Sequence, residues 1–221
     1  MNILVFAPHP DDDVLSCGGT IKKHVLSGDN VYVCVVTRGT MPLFHEKNVI
    51  QVRKEHKEAM DFLGVEEISY LDFPAVMLEE QHRYEINKKI DEVVKKYKPE
   101  IVYMPHFGDM QKDHAIVSEA VMVTVRPRGN YTVKTVLSYE TLSETEWNIP
   151  HASNTFIPNY FVDITNTLSD KLKALSLFES QISEFPNPRS LEAVESLAKL
   201  RGSTIGVKAA EAFAVIREIE K

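Results

Sequence analysis

One short segment near the start of the chain brings together an imidazole and three carboxylates. It reads Ala-Pro-His-Pro-Asp-Asp-Asp at residues 7–13 and follows an apolar run at residues 3–6. Its two prolines fix φ at their positions and therefore restrict the backbone of the segment. Carboxylates this close together repel one another unless a positive charge lies among them. The residue types therefore predict a metal ion at this segment.

A second polar segment, at residues 106–114, follows a later apolar run at residues 101–104. It reads His-Phe-Gly-Asp-Met-Gln-Lys-Asp-His. If both apolar runs are strands of a parallel sheet, the loops after them open at the same edge of that sheet. We therefore expect the two polar segments to meet, although they lie far apart in the sequence.

Three residues of these segments match the ligand set of a catalytic zinc ion. Zinc in a hydrolase takes three protein ligands from His and Asp or Glu and leaves one position for water. His9, Asp12 and His114 supply that set, for Zn²⁺ or another divalent metal ion. Asp11 is then a carboxylate beside the site that can take a proton from the attacking water.

A simpler interpretation of the same residues stays open on spacing alone. A histidine at a strand end is often only a hydrogen-bonded polar residue, and adjacent aspartates often cap the next helix. We expect Asp13 to have that capping role. Gly18 and Gly19 are interpreted as sites of close helix packing, because the chain has no Gly-x-Gly-x-x-Gly nucleotide motif.

The elements that position these residues follow from the patterning of the first half of the chain. Four apolar runs are typical of strands buried on both faces, and residues at helical spacing separate them. Alternating strands and helices predict an α/β fold with a mostly parallel sheet and helices on both faces. The four runs lie at residues 3–6, 31–36, 68–71 and 101–104.

The second half of the chain predicts further elements. A helix at residues 113–125 is expected to end at Pro127 and Gly129. Residues 143–158 lack periodicity and carry Trp147, which predicts an entrance loop or lid. With no linker or internal repeat, we expect one domain over residues 1–221. The other predicted elements are strands at 133–139, 160–164 and 213–219, the last at an edge, and helices at 168–182, 190–200 and 207–212.

Composition narrows the class of protein. An apolar fraction of 43% and a charged fraction of 26% are typical of a globular chain rather than a disordered one. The net charge of −7 and the lack of a basic patch argue against a nucleic-acid partner. Cys17 and Cys34 are too few for a disulfide framework, which favours a reducing, cytoplasmic setting. No signal peptide is expected before the first strand, and no apolar run approaches the ~18 residues of a membrane span.

The two polar segments together resemble a known family. Pro-His-Pro-Asp-Asp followed by Gly18-Gly19, with the later Asp-x-x-x-Asp-His, is similar to the PIG-L/LmbE family of zinc-dependent N-deacetylases. The first motif is specific when it is paired with the second. Further similarity runs along the chain at Arg53, Leu63-Gly64-Val65, Glu179-Ser180-Gln181, Arg201-Gly202 and Ala210-Glu211-Ala212-Phe213.

This resemblance implies a Rossmann-like fold and assigns roles to individual residues. His9, Asp12 and His114 correspond to the zinc ligands, in agreement with the set proposed from spacing. Asp11 corresponds to the general base that later acts as general acid, and Arg53 to a contact with a substrate hydroxyl. The implied substrate is a small-molecule amino sugar or glycoconjugate that carries N-acetylglucosamine.

The chain departs from the family pattern at two positions. Gln111 stands where many members carry a histidine that stabilises the oxyanion or protonates the leaving amine. Glutamine donates a hydrogen bond but delivers no proton at neutral pH, so His106 is a candidate for part of that role. Ala75 replaces the usual aspartate after the third strand.

Two further aspartates of the second segment receive provisional roles. Asp113 is expected either to orient a ligand imidazole or to cap a helix. Asp109 follows a glycine and is expected to contact Asp11 or the substrate, with a plain turn role as the alternative.

These observations predict a single deacetylase domain that hydrolyses the acetamide of an amino sugar. Two other functions are weighed against it. A metal-dependent phosphoesterase normally needs a second metal ion and more basic phosphate contacts. A sugar-binding module without turnover does not need Asp11 as a base. Metal content and acetate release separate the three, and the sequence leaves a homo-oligomer open.

Overall fold

The computed structural model describes residues 1–128 and 131–220, so the helix end predicted at Gly129 lies outside the described residues. Within them, strands and helices alternate along the first half of the chain as predicted. The strands are β1 (Asn2–Ala7), β2 (Asn30–Arg38), β3 (Glu67–Pro74), β4 (Ile101–Pro105), β5 (Thr135–Tyr139), β6 (Tyr160–Asp163) and β7 (Ala210–Glu218). The helices are α1 (Asp12–Leu26), α2 (Glu46–Leu63), α3 (Arg83–Tyr97), α4 (Lys112–Thr124), α5 (Leu168–Leu175) and α6 (Leu191–Ser203), with 3₁₀ turns at Leu78–Glu80 and Ala152–Asn154.

All seven of these strands form one sheet, in the order β3-β2-β1-β4-β5-β7-β6. Strands β1 to β5 pair in parallel, whereas β7 pairs antiparallel with β5 and with β6. Val5 of β1 lies opposite Val33 of β2 and Tyr103 of β4. The predicted α/β fold with a mostly parallel sheet is confirmed.

Both faces of the sheet are covered. Ile3 and Val5 point into a core formed with α1, α2 and α5, while Leu4 and Phe6 point into a second core formed with α3 and α4. This alternation reflects the two-residue period of a strand. No helix of the described ranges combines the length and the apolarity that a membrane crossing requires.

The strand order places the two polar segments together. The connection from β1 leads to β2 on one side, whereas β4 lies on the other side of β1. The carboxyl ends of β1 and β4 therefore flank the point where the strand order reverses, which is where open α/β sheets bind ligands. Residues 7–13 and 106–114 follow these two ends.

The helix predicted over residues 168–182 is wrong beyond α5, which ends at Leu175. Glu55 of α2 captures the following segment in a non-helical form, because its carboxylate accepts hydrogen bonds from the Ser180 amide at 3.1 Å and hydroxyl at 2.5 Å. Phe178 is fully buried and fills the core from this turn. The residues after α5 thus form a turn that Glu55 holds, although their apolar spacing continues the helical period.

The prediction for residues 207–219 is also corrected. No helix forms at 207–212, because β7 already begins at Ala210 and runs to Glu218. That strand is not an edge strand, since it lies between β5 and β6. The carboxylate of Glu211 is buried against the Gly19 and Thr20 amides and the Lys171 ammonium, and these contacts hold the start of β7 in place.

Strand β3 differs from its prediction as well. It is an edge strand, and its residues are half-buried rather than buried on both faces. The close packing expected at the paired glycines is present: a Cβ on Gly19 would lie 2.8 Å from the Ile164 side chain.

Candidate active site

His9, Asp12 and His114 converge at the carboxyl edge of the sheet. Their ligand atoms all lie within 4.8 Å of one another. The segment after β1 supplies His9, α1 begins with Asp12, and the first turn of α4 supplies His114. Asp12 Oδ2 lies 3.0 Å from His9 Nδ1 and 3.3 Å from His114 Nε2. The structure thus brings together the three residues predicted as metal ligands.

Each imidazole of this cluster is oriented by a second carboxylate. His9 Nε2 lies 3.1 Å from Asp113 Oδ2, and His114 Nδ1 lies 2.8 Å from Asp109 Oδ2. Because an ionised carboxylate only accepts hydrogen bonds, a neutral imidazole donates from these outer nitrogens. The inner nitrogens, Nδ1 of His9 and Nε2 of His114, then present lone pairs to the centre, as in metal-binding histidines.

The centre of the cluster carries unpaired polar atoms. Asp12 Oδ1 and His114 Nε2 are buried and have no hydrogen-bond partner among the described residues. Burial opposes the charge on Asp12, yet the neighbouring His114 and His9 hold the pKa of its carboxyl well below the usual range. Burial likewise opposes a charge on His9, but the charge of Asp12 and the hydrogen bonds to Asp113 and Asp12 together raise the pKa of His9 to about 9.

The Asp12 carboxylate therefore favours a positive charge at the centre of the cluster. A divalent cation supplies that charge and takes the place of protons on the imidazoles. The unpaired atoms, the lone-pair orientation and the mixed nitrogen and oxygen donor set all fit such an ion. The cluster is a candidate metal centre.

Asp11 lies beside this cluster at the N-cap position of α1. It is 3% exposed, and its Oδ2 accepts a hydrogen bond from Arg189 Nη1 at 2.6 Å. Burial raises the pKa of Asp11 to about 6, although the Arg189 guanidinium opposes that shift. The result is a carboxyl group that is ionised at neutral pH and that still binds a proton readily.

A cavity of about 280 Å³ opens next to the cluster. The predicted site residues His9, Asp11, Arg53 and Gln111 contribute to its wall, and Ala75 lies in it at the position of the usual family aspartate. The lining residues that the sequence analysis did not assign include Asn48, Gln181 and Arg189.

Arg53 and Gln111 carry further unpaired atoms at this cavity. Across the described residues, six buried side-chain polar atoms lack a hydrogen-bond partner, and four of them belong to Asp12, His114, Arg53 (Nε) and Gln111 (Oε1). Arg53 is held by an ion pair with Asp72 and by stacking 4.3 Å above the Tyr70 ring. Buried polar groups are normally paired, so this donor and this acceptor are candidate contacts to a bound molecule.

Asp109 and Asp113 each contact an imidazole of the cluster, a role that the sequence predicted only in part. Asp109 contacts His114 and accepts a hydrogen bond from the Thr145 hydroxyl at 2.6 Å, rather than contacting Asp11. Asp113 follows the alternative of orienting an imidazole, but that imidazole is His9 and not its neighbour His114. Asp113 also accepts hydrogen bonds from the amides of Val76 and Leu78.

His106 is not one of the described residues that line this cavity. Its Nε2 donates a hydrogen bond to the Asn154 carbonyl at 3.0 Å, and its ring packs edge-on against Phe107 and Phe156. Gly108 permits this approach, because a Cβ there would lie 2.7 Å from the Asn154 backbone. His106 thus ties residues 143–158, the predicted entrance loop, to the segment after β4.

Asp13 has a second contact besides its predicted capping role, in which its Oδ1 accepts a hydrogen bond from the Val14 amide in the first turn of α1 at 2.8 Å. Its Oδ2 lies 2.7 Å from His56 Nε2, and both side chains are fully buried. His56 Nδ1 in turn lies 2.8 Å from the Tyr70 hydroxyl. In the sequence, His56 shares a helical spacing with apolar residues such as Ala59 and Leu63, a pattern that places it on the buried face of α2 but does not identify Asp13 as its partner.

Arg189 was missed by the sequence analysis. It lies between α5 and α6, far from both polar segments, and no motif surrounds it. Only the folded chain places its guanidinium 2.6 Å from Asp11.

Comparison with known proteins agrees with this geometry. The sequence profile of the PIG-L family, described as GlcNAc-PI de-N-acetylase, matches residues 4–125, which extend from β1 to the end of α4. The chain belongs to the PIG-L family. The predicted family and the predicted enzyme class, a metal-dependent N-deacetylase, are therefore confirmed.

Individual relatives of this PIG-L chain are similar over most of its length. Diacetylchitobiose deacetylase of Thermococcus kodakarensis is 32% identical over 195 residues, which cover 82% of this chain and 70% of the relative. The structure of N,N'-diacetylchitobiose deacetylase from Pyrococcus horikoshii superposes with a TM-score of 0.78 at 26% identity, covering 97% of this chain and 83% of that one. A conserved protein from Thermus thermophilus gives a TM-score of 0.80 at 26% identity, covering 99% and 96% of the two chains.

Proposed function

We propose that this PIG-L protein is a zinc-dependent deacetylase that hydrolyses the acetamide of an N-acetylglucosamine-type amino sugar or glycoconjugate. The products are acetate and the free amine. The observation that carries the proposal is the convergence of His9, Asp12 and His114, with unpaired atoms facing one centre beside Asp11. Similarity to deacetylases of diacetylchitobiose supports the sugar class.

His9 Nδ1, Asp12 and His114 Nε2 are the atoms and residues that would hold the metal ion. Two nitrogens and a carboxylate suit zinc, and such a set leaves a coordination position open. When bound, a divalent ion polarises the amide carbonyl and lowers the pKa of water. Asp113 and Asp109 keep the two imidazoles in the tautomer and orientation that this requires.

Asp11 is the proposed proton carrier. One of its carboxylate oxygens is bound to Arg189, while the other makes no hydrogen bond among the described residues and is available at the cavity wall. That oxygen removes a proton from the attacking water. The protonated Asp11 then returns the proton to the departing nitrogen, which is a poor leaving group as an anion.

Arg53 and Gln111 are the proposed contacts to the substrate. The unpaired Nε of Arg53 donates to a sugar oxygen, and the Gln111 amide forms a hydrogen bond with the oxyanion or with a sugar hydroxyl. An amide transfers no proton, so Gln111 binds and orients without acting as an acid.

The alternative of a two-metal phosphoesterase is less well supported. The described residues hold one cluster of metal-ligating side chains, whereas two-metal phosphoesterases need a pair of ions.

We extend the proposal to the setting of the enzyme. Residues 1–221 are proposed to form one deacetylase domain that acts on a small molecule rather than on nucleic acid, in keeping with the net charge of −7. The two buried free cysteines, Cys17 and Cys34, support a reducing compartment and hence the cytoplasm.

The proposed function is tested with a panel of N-acetyl sugars. Purified protein is loaded with Zn²⁺ and incubated with N-acetylglucosamine, N,N'-diacetylchitobiose and N-acetylglucosaminides that carry neutral or anionic aglycones. Acetate is measured enzymatically and the free amine with an amine-reactive dye. We expect equal amounts of both products from at least one member. Metal-loaded protein that releases neither product from any member would contradict the proposal.

Replacement of Gln111 tests its role as a neutral hydrogen-bonding group. Gln111→Ala should lower kcat/KM by about 10–10³-fold, the effect of losing one oxyanion or orienting donor. The factor should be the same at each pH, because an amide does not titrate. Profiles of kcat/KM against pH for both proteins measure this. A loss that grows towards one end of the pH range would contradict it.

His106 is tested in the same profiles. Because its Nε2 is engaged with the Asn154 carbonyl, we expect His106→Ala to leave the shape of the pH profile unchanged. The free energy of unfolding should fall by about 1–3 kcal/mol, since a buried hydrogen bond and aromatic packing are lost. An altered acidic or basic limb would instead assign His106 the proton-transfer work of the family histidine.

A further inference from the structure

We propose that Arg189 is a positioning residue for the deacetylation reaction: it binds one oxygen of Asp11 and thereby turns the other oxygen towards the cavity. This proposal rests on the proposed function, in which Asp11 carries the proton. Arg189 lies in none of the sequence motifs of the chain.

The guanidinium of Arg189 connects two loops of the site. Its Nη1 donates to Asp11 Oδ2 at 2.6 Å, and its Nε donates to Ser143 Oγ at 2.9 Å. The guanidinium is planar, with donors in a fixed arrangement. Contacts from two of its nitrogens therefore fix the plane of the group, whereas a single ion pair would let it rotate.

The backbone of Arg189 is itself anchored. It directly precedes Ser190, whose hydroxyl caps α6 by accepting a hydrogen bond from the Ala193 amide. Its amide donates to Asn187 Oδ1 at 2.8 Å, and its carbonyl accepts from the Ser183 amide at 3.3 Å. The side chain thus extends towards Asp11 from a fixed helix end.

Both partners of Arg189 have unusual backbone conformations. Asp11 has a φ of 148° and Ser143 a φ of 74°, values that residues other than glycine rarely adopt. Such conformations persist where surrounding contacts hold them, and they are concentrated at functional sites. Arg189 is one contact that these two positions share.

The consequence for Asp11 is a defined orientation of its carboxylate. With Oδ2 bound to Arg189, the Oδ1 atom makes no hydrogen bond among the described residues, and Asp11 lines the cavity. A base must lie within hydrogen-bond reach of the proton it removes, and small displacements lower rates strongly. Arg189 supplies this precision without being required to contact the substrate.

The alternative to positioning is direct binding of the substrate by Arg189, because this residue also lines the cavity. The two other arginines of that wall, Arg38 and Arg53, pair with Glu46 and Asp72, which do not line it. Arg189 differs because its partner is the proposed base. A double-mutant cycle separates positioning from substrate binding.

The cycle uses Arg189→Gln, Asp11→Asn and the double variant, with zinc content measured in each. We expect Arg189→Gln to lower kcat by about 10–100-fold with little change in KM, as a displaced base would. In the Asp11→Asn background the same substitution should have no further effect on kcat. Arg189→Lys, which can reach Asp11 or Ser143 but not span both, should restore only part of the loss.

Two matched variants accompany the cycle. Ser143→Ala removes one anchor of the guanidinium and should lower kcat less than Arg189→Gln. Arg201→Gln breaks a bidentate ion pair between Arg201 and Glu140. The Arg201 side chain is 22% exposed to solvent, which is close to the 25% of Arg189. Since Arg201 lies outside the lining of the cavity, its substitution should lower Tm and leave kcat unchanged.

Several results would overturn the proposal. These are an unchanged kcat in Arg189→Gln, a rise in KM alone, or an equal loss of kcat in both backgrounds. If Arg189→Gln does not fold, the same criteria for kcat and KM are applied to Arg189→Lys and Ser143→Ala. Crystal structures of wild type and a folded Arg189 variant add a readout without turnover, because an identical Asp11 orientation in both would also overturn it. Wild-type protein inactive on every sugar would contradict the proposed function instead.

Discussion

His114→Ala is expected to lose most of the affinity for zinc and all deacetylase activity. The substitution removes one of three proposed ligands and the buried nitrogen that faces Asp12. A catalytic zinc site with three protein ligands has no spare donor to replace it. Dialysis against a chelator, reloading with Zn²⁺ and metal analysis by mass spectrometry measure the affinity, and acetate release measures the activity.

The control for this variant is His24→Ala. His24 is also held by a carboxylate, Asp29 at 2.8 Å, and by the Tyr103 hydroxyl at 3.0 Å, but it lies near the end of α1 away from the cluster. We expect His24→Ala to retain zinc and to lose stability only. Full retention of zinc by His114→Ala would show that the ligand assignment is wrong.

Asp11→Asn is expected to bind zinc normally and to lower turnover by roughly 10²–10⁴-fold, the contribution of a positioned general base. The side chains are nearly isosteric, and the amide oxygen can still accept the hydrogen bond from Arg189. The metal cluster should therefore stay intact while proton transfer is lost. Turnover is compared at equal metal content, so that a binding defect is not mistaken for a chemical one.

Near-normal turnover in zinc-loaded Asp11→Asn would mean that another group removes the proton. Glu144, a buried carboxyl whose Oε2 accepts a hydrogen bond from the Gln111 backbone N–H at 3.1 Å, would then be the next residue to replace. Glu144→Gln in the wild-type background is the matched variant, and we expect it to retain more activity than Asp11→Asn.

The convergence of the three proposed ligands could be predicted from the sequence because its determinants are local. His9 and Asp12 follow one buried strand, His114 follows another, and the rules of parallel sheets bring such strand ends to one edge. The structure places them within 4.8 Å of one another. The alternation of strands and helices sets the parallel part of the sheet in the same way.

The contacts around the cluster could not be assigned in this way. Neighbouring residues of a helix point in different directions, so Asp113 contacts His9 across the site and not its neighbour His114. Asp109, which precedes α4, contacts His114 instead. Apolar spacing likewise could not reveal that α5 ends at Leu175 and that Glu55 binds Ser180 in the turn beyond it. Arg189 reaches Asp11 only through the packing of distant elements, which leaves no pattern in the local sequence.

Reconstitution of the metal-free protein tests the central claim most directly. Zn²⁺ is titrated into chelator-treated protein, and the rate of acetate release from the best N-acetyl sugar is followed at each addition. The account predicts no release without metal and a rate that rises linearly until one zinc ion is bound per chain, with no further rise beyond that point. A full rate in the metal-free protein, or a rate that saturates only at two ions per chain, would contradict it.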